Sequence, residues 1–203
     1  MITVEEMRKL EDKSEESGIS KLQLMSNAGK GIFTVLNEKT ELKNKNILIV
    51  CYHGNNGGDG FVAARHLCEV ADLTVLFIGD ETKLKKEADV NYKRMLNNSK
   101  VQILFESGDI NFDDFDIIID AMLGIGIVGD IKEPISSAID NINDSKAFKV
   151  AVDVPTGLNP DTGEIIDKVV NADMIVTFHE LKAGLKKLES KTVVVDIGIK
   201  DIE

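Results

Sequence analysis

Apolar positions along this chain recur with two periods, and the change from one to the other marks where a sheet begins. At the start the spacing is helical: Val4, Met7 and Leu10 share one face behind a Thr3-Val4-Glu5-Glu6 capping box, and Gly18 ends that helix. Ser20-Lys21-Leu22-Gln23 opens a second helix, whose Leu22, Met25, Ala28, Ile32, Phe33 and Leu36 form a broad apolar face. From Asn46 onward the pattern becomes short apolar runs of strand length. They cover Asn46 to Tyr52, Leu73 to Ile78, Val101 to Phe105, Asp116 to Asp120, Lys149 to Val154, Ala172 to Thr177 and Thr192 to Asp196. Helical stretches separate them: Phe61 to Leu67, Lys83 to Asn97, and one from Pro134 to about Asn143, with proline suited to a first turn. Continuous apolar strands alternating with helices predict an α/β fold with a mainly parallel sheet covered on both faces. No repeat or linker interrupts residues 1–203, so a single domain is expected, with N-terminal helices over 3–39 and an α/β core over 45–199. The broad face of the second helix is larger than a sheet edge usually needs, which suggests a shared subunit interface.

One stretch breaks the apolar pattern at a strand end. Gly54-Asn55-Asn56-Gly57-Gly58-Asp59-Gly60 follows the first predicted strand and precedes a small-residue helix. Strand, glycine-rich turn and helix are where an open α/β sheet meets the phosphates of a nucleotide. The glycines let a ligand approach bare backbone. The stretch is neither the G-x-G-x-x-G dinucleotide pattern nor a Walker A loop, since its spacing differs and no Gly-Lys-Ser/Thr follows. Its two Asn and one Asp add amide carbonyls and a carboxylate beyond what a phosphate cradle requires. A tight turn locally capped by those side chains is the plainer alternative.

Charge sharpens this picture. The chain carries a formal net charge of −11 with no basic stripe, which argues against nucleic acid as a partner. An anionic ligand must therefore meet backbone N–H groups, a helix N-terminus or a bound cation. No apolar run reaches bilayer length and the N-terminus lacks a basic and apolar leader, so a cytoplasmic protein without a membrane partner is expected. Cys51 and Cys68 read as small buried hydrophobes. The lysines at 83, 85 and 86 read as a solvated helix face, and His53, His66 and His179 as structural or solvated.

Ligands of such a sheet gather outside the carboxyl ends of its strands. The fourth predicted strand ends in Asp120, followed by the glycine-bearing loop Ala121 to Asp130. The fifth carries Asp153 and then Val154-Pro155-Thr156-Gly157. Together with Asn55, Asn56 and Asp59 these form an inventory of hard oxygen donors, suited to an alkali or alkaline-earth cation.

Three motifs in order, Asn55 to Leu67, Asp120 to Gly126 and Val152 to Gly157, resemble the YjeF N-terminal domain family, the NAD(P)H-hydrate epimerases. The resemblance runs from Leu24-Met25-Ser26-Asn27-Ala28-Gly29 to Val195-Asp196-Ile197-Gly198. It implies a Rossmann-like three-layer α/β/α sandwich, usually a homodimer, that interconverts the R and S forms of hydrated NADH or NADPH. By the same likeness Asn55, Asn56, Gly57, Gly58 and Asp59, the loop Gly124, Ile125, Gly126, Ile127, Val128, Gly129 and Asp130, and Asp153 would hold substrate. Asn56, Asp120 and Thr156 would hold a potassium ion. Asp153 is the candidate acid and base, with Lys182 in support. A separate dehydratase would consume the S product. The sequence departs from the family pattern in having Tyr52 at the first glycine, Ser26 for a glutamate, and Lys182-Ala183-Gly184 for Lys-Pro-Gly. A non-catalytic nucleotide-binding or scaffold protein on the same fold is the other class considered, as is a different nucleotide- or sugar-nucleotide-binding enzyme.

Overall fold

The structure is a computed structural model that describes residues 1–105, 108, 110–126, 130–165 and 167–199. Two helices come first, α1 (Val4–Glu16) and α2 (Lys21–Lys39), capped by Thr3 and Ser20. The α1 cap is a full capping box, with Thr3 and Glu6 each bonding the other's backbone N–H. Then follow β1 (Asn46–Cys51), α3 (Asn55–Leu67), β2 (Asp72–Phe77), α4 (Lys86–Leu96), β3 (Val101–Leu104) and β4 (Ile117–Ala121). The chain closes with α5 (Ile135–Asp144), β5 (Phe148–Val152), β6 (Met174–Phe178) and β7 (Thr192–Val195).

All seven predicted strands are present, and they form one sheet in the order β3-β2-β1-β4-β5-β6-β7. Each of the six neighbouring pairs is parallel, which is stricter than the mainly parallel sheet expected. The chain builds outward from β1 to β3, then returns to the other side of β1 and builds outward again to β7. Between β1 and β4 the winding reverses, and this is the switch point at which open α/β sheets bind ligands.

Alternation along the strands sends side chains to two faces. Ile47, Ile49 and Cys51 of β1 pack with Ile119 and Ala121 of β4 beneath α2 and α3. Leu48 and Val50 pack instead with Ile118 and with Ala138, Ile139 and Ile142 of α5. The layers are unequal: α1 to α4 cover one face, whereas α5 and the loops around Leu158 and Leu185 cover the other. Among the described residues no helix is long and apolar enough to cross a membrane.

Several sequence readings are corrected. The glycine-rich stretch is not a loop ahead of a helix starting at Phe61; it is the first turn of α3, which starts at Asn55 with Gly54 as its cap. The helix expected from Lys83 to Asn97 divides into a 3-10 turn, Glu81–Lys83, and the shorter α4. Met25, Ala28, Ile32 and Leu36 of α2 are buried within the chain, and Leu22 and Phe33 half-buried. Most of the face taken as a sign of a shared interface thus packs on the chain's own α3 and sheet, with Leu22 and Phe33 left partly exposed. Each fully buried Met, Ile or Leu of that face contributes about 1.5–3 kcal/mol of stability. Both cysteines are buried and free.

Candidate active site at the switch point

The exit of β1 and the start of α3 lie closer together than a side chain would allow. A Cβ on Gly57 would sit 1.8 Å from the Tyr52 carbonyl oxygen, and one on Gly60 would sit 2.7 Å from Cys51 Sγ. With no side chains there, the first turn of α3 nests directly on the ends of β1 and β4. Asn56 and Asp59, three residues apart on one helix face, then line a cavity of about 390 Å³ over the switch point. No side chain caps this helix end, so its first N–H groups remain available to a ligand.

Beneath the cavity lies a buried polar knot. Asp120, fully buried in β4, accepts hydrogen bonds from the Thr156 N–H (2.8 Å), the Thr156 hydroxyl (2.7 Å) and the Met122 N–H (3.2 Å). Thr156 Oγ1 in turn accepts from the Leu123 N–H at 3.0 Å. These bonds tie the loops after β4 and β5 together. Burial pushes the Asp120 carboxyl up to about 6, against the lowering effect of its Thr156 and Met122 donors.

One strand over, Asp153 follows β5 with φ +63°, a left-handed conformation that non-glycine residues seldom adopt. Such backbone costs of order 1–3 kcal/mol and collects at functional sites. Its N–H donates to the Val176 carbonyl at 2.7 Å, which anchors the turn to β6. Lys182, fully buried, donates to Asp153 Oδ1 at 2.8 Å and to the Phe178 carbonyl at 2.7 Å. Thr177 also donates to Oδ1, at 3.2 Å. Among the described residues Oδ2 forms no hydrogen bond, and it lies 3.1 Å from where a Gly124 Cβ would begin. The Asn56 Oδ1 lies 3.1 Å from the same point. Asn56 is only 7% exposed, and among the described residues neither its oxygen nor its nitrogen has a hydrogen-bond partner. A buried amide left open in this way costs free energy unless something fills the cavity.

The sequence candidates separate accordingly. Asn55, Asn56, Asp59, Gly124, Ile125, Gly126 and Asp153 line the cavity. Gly57 and Gly58 serve packing, Gly58 against Met25 and Ala88. Asp130 is exposed and outside the cavity wall. Ile127, Val128 and Gly129 fall outside the described residues. Asp120 and Thr156 lie below the floor, and Lys182 touches the site through Asp153.

The sequence reading missed the wall given by Met7, Arg8 and Glu11 of α1; Lys85 is exposed, as its solvated reading expected, and lines the cavity as well. Spacing held a signal for the first, since Glu11 follows Met7 by one helical turn. His53 follows the structural of its two readings: its Nδ1 accepts from the Asp80 N–H at 3.2 Å and its ring centroid lies 3.8 Å from that of Tyr52. Among the described residues no group of three His, Cys, Asp or Glu side chains is arranged to hold a metal. A cation here would need amide and hydroxyl oxygens as well.

An all-parallel sheet with a polar cavity over its switch point defines an α/β protein of the Rossmann-like class, built to take a small ligand. Residues 21–184 match the model described as YjeF-related protein N-terminus, and the chain belongs to that family. It is 42% identical over 195 residues to a protein of Nitrosopumilus maritimus (strain SCM1) named NAD(P)H-hydrate epimerase, covering 94% of this chain and 90% of the relative. It is 40% identical over 198 residues to the bifunctional NAD(P)H-hydrate repair enzyme Nnr of Methanothermobacter thermautotrophicus, covering 92% of this chain but only 38% of that longer protein. The crystal structure of yeast ynu0 superposes with a TM-score of 0.79 at 24% identity, covering 100% of this chain and 90% of that one, and shows the same fold.

Proposed function

We propose that this chain is an isomerase of nicotinamide nucleotide repair, interconverting the R and S forms of hydrated NADH and NADPH. The observation that carries the reading is the pair facing across Gly124, an unpartnered buried Asn56 amide and the free Asp153 Oδ2, within a family whose relatives bear the epimerase name.

The substrate carries a hydroxyl on a ring carbon beside nitrogen. When a proton reaches that hydroxyl the C–O bond breaks with its electron pair, water leaves, and the nitrogen lone pair forms a C=N⁺ bond. Water returns to either face as a base takes its proton. Lys182 holds Asp153 by Oδ1 and leaves Oδ2 open, so Asp153 suits proton exchange at the ring. The open N-terminus of α3 suits the pyrophosphate. Potassium would supply counter-charge and fix the loops if held by Asn56, Asp120 and Thr156, and the open Asn56 oxygen and the Asp120 carboxylate, which no Lys or Arg of the described residues pairs, fit that ion. A homodimer rests chiefly on family likeness, since most of the α2 face is covered within the chain. Light scattering at micromolar concentration tests that. The partner expected downstream is a dehydratase that accepts the S form.

The deciding assay removes the S form with an S-specific dehydratase and follows the R form. Depletion of R well above its spontaneous rate is expected. Persistence of R at the spontaneous rate would end the proposal.

A further inference from the structure

Helix α1 is held against the site from outside the residues matched by the family model, 21–184. The Ile2 N–H donates to the Leu181 carbonyl at 2.9 Å and the Ala183 N–H donates to the Ile2 carbonyl at 3.1 Å, bracketing Lys182. The Val4 N–H donates to Asp161 Oδ1 at 2.8 Å. So moored, α1 turns Met7, Arg8 and Glu11 to the cavity. Glu11 is half-buried, and so is Asp59 on the α3 wall.

Three carboxyl groups, Glu11, Asp59 and Asp153, therefore line one cavity. The buried ammonium beside them, Lys182, is already bonded to Asp153. Lys21 of α2 pairs with Asp12 at 2.6 Å and reaches Glu15 at 3.9 Å. Among the described residues no ion pair reaches Glu11 or Asp59. Around them stand Arg8 and Asp12 of α1, Lys21, and Lys85 and Glu87 at the start of α4. Burial first, then the charge of Asp153, raises the Glu11 carboxyl above its ordinary range, opposed by Lys21 and Lys182. Asp59 is pushed well up by burial and then by Asp153 and Glu11. Glu11 and Asp59 thus retain protons that isolated carboxyls would give up. The independent sign that a ligand belongs among them is the open Asn56 amide, buried and aimed into the same cavity.

We propose that Glu11 is a second catalytic group of the epimerisation, protonating the departing hydroxyl while Asp153 takes the proton of the water that adds. The assignment rests on the function proposed above. Departing and returning water occupy opposite faces of the ring, and α1 and the sheet rim are different walls of the cavity. In one direction the Glu11 O–H bond breaks and its proton leaves with the hydroxyl as water. The C–O electron pair goes with the oxygen, and the ring nitrogen supplies the C=N⁺ bond. A water oxygen then bonds the carbon, its proton passes to Asp153, and the lone pair returns to nitrogen. Before the next turnover in the same direction Asp153 releases its proton to solvent water and Glu11 takes one up, and a reverse turnover restores both groups directly.

Wild-type epimerisation is measured first, and its absence overturns the function and this assignment together. Given wild-type activity, Glu11→Gln is expected to lower kcat by a hundred- to ten-thousand-fold. The melting temperature and its rise with added hydrated NADH should stay near wild type. In wild type kcat/KM falls as pH rises and the acid ionises, and Glu11→Gln should lack that limb. Glu11→Asp keeps a titrating group, so it should recover part of the rate and the limb. A Glu11→Gln kcat within threefold of wild type would overturn the assignment. So would a loss confined to KM with the pH profile intact, or a folded Glu11→Asp variant with neither rate nor limb restored.

Discussion

Two carboxylates stand at the ends of neighbouring strands and are held in opposite ways. Asp120 sits within β4, fully buried, and among the described residues every hydrogen bond it accepts comes from a neutral donor. Asp153 sits one residue past β5 on strained backbone, with the Lys182 ammonium at 2.8 Å. The first acid is braced but lacks a counter-charge. The second has a counter-charge built into the fold and one oxygen left over. Hydrogen bonds from neutral donors fix a carboxylate's position without offsetting its desolvation, which is why Asp120 is pushed up despite three donors. The end of β4 therefore suits a cation, and the end of β5 suits chemistry.

The largest effect should come from breaking the chemical half. Asp153→Asn keeps shape but cannot exchange a proton, so epimerisation of the R form should fall by a hundred- to ten-thousand-fold. Substrate-induced stabilisation should change far less. A near wild-type rate would remove Asp153 from the chemistry, and a collapse of binding at unchanged rate would make it an anchor.

Next comes the pair itself. Lys182→Met leaves a carboxylate without its cation, and Asp153→Asn leaves a buried ammonium without its anion. Each should destabilise by about 3–5 kcal/mol in denaturant unfolding, because an uncompensated buried charge remains. The double variant Asp153→Asn/Lys182→Met should cost less than the sum of the two, as coupled neighbours do. Additive losses would mean that the ion pair contributes nothing as a pair.

The β4 end is broken by pH. Its folded value, about 6, exceeds the ordinary 3.8, a gap corresponding to about 3 kcal/mol. The stability that Asp120 contributes is full below pH 4 and is lost as pH rises through 6, because the folded state binds the extra proton. Glu11 and Asp59 shift in the same direction. In potassium-free buffer the melting temperature should fall across that window, and Asp120→Asn should flatten the fall. An unchanged slope in the variant would place the effect on the other acids.

Much of this was legible in the sequence. Apolar runs of strand length located all seven strands, because strands buried on both faces need continuous apolar residues. Asp120 and Asp153 were found because sheets of this class place ligands at strand ends. Other features lay beyond local pattern. Composition alone does not place Asn55 inside a helix, because α3 can begin there only where Gly57 and Gly60 let it rest on β1 and β4. The α2 face looked like an interface because its cover, α3, is set by tertiary packing. Glu11 reads as a solvent residue on an amphipathic helix until the Ile2–Lys182 bridge brings α1 to the cavity.

The smallest effect expected is the one that tests the β4 end most directly. If a cation completes it, potassium should raise the melting temperature of wild type at neutral pH. At ten times its dissociation constant the ion would add about 1.4 kcal/mol, on the order of a few degrees for a domain of this size. Choline chloride at equal ionic strength should not do this, since general screening acts on exposed charges. Cation and proton compete for Asp120, so potassium should help more at pH 7 than at pH 4.5 and thereby flatten the pH slope. Asp120→Ala should abolish the rise and lower activity, while Asp153→Asn should keep the rise. A wild type that potassium leaves unmoved, with or without ligand, would mean that Asp120 is only a brace between two loops. A rise lost in Asp153→Asn as well would mean that the two strand ends act as one site.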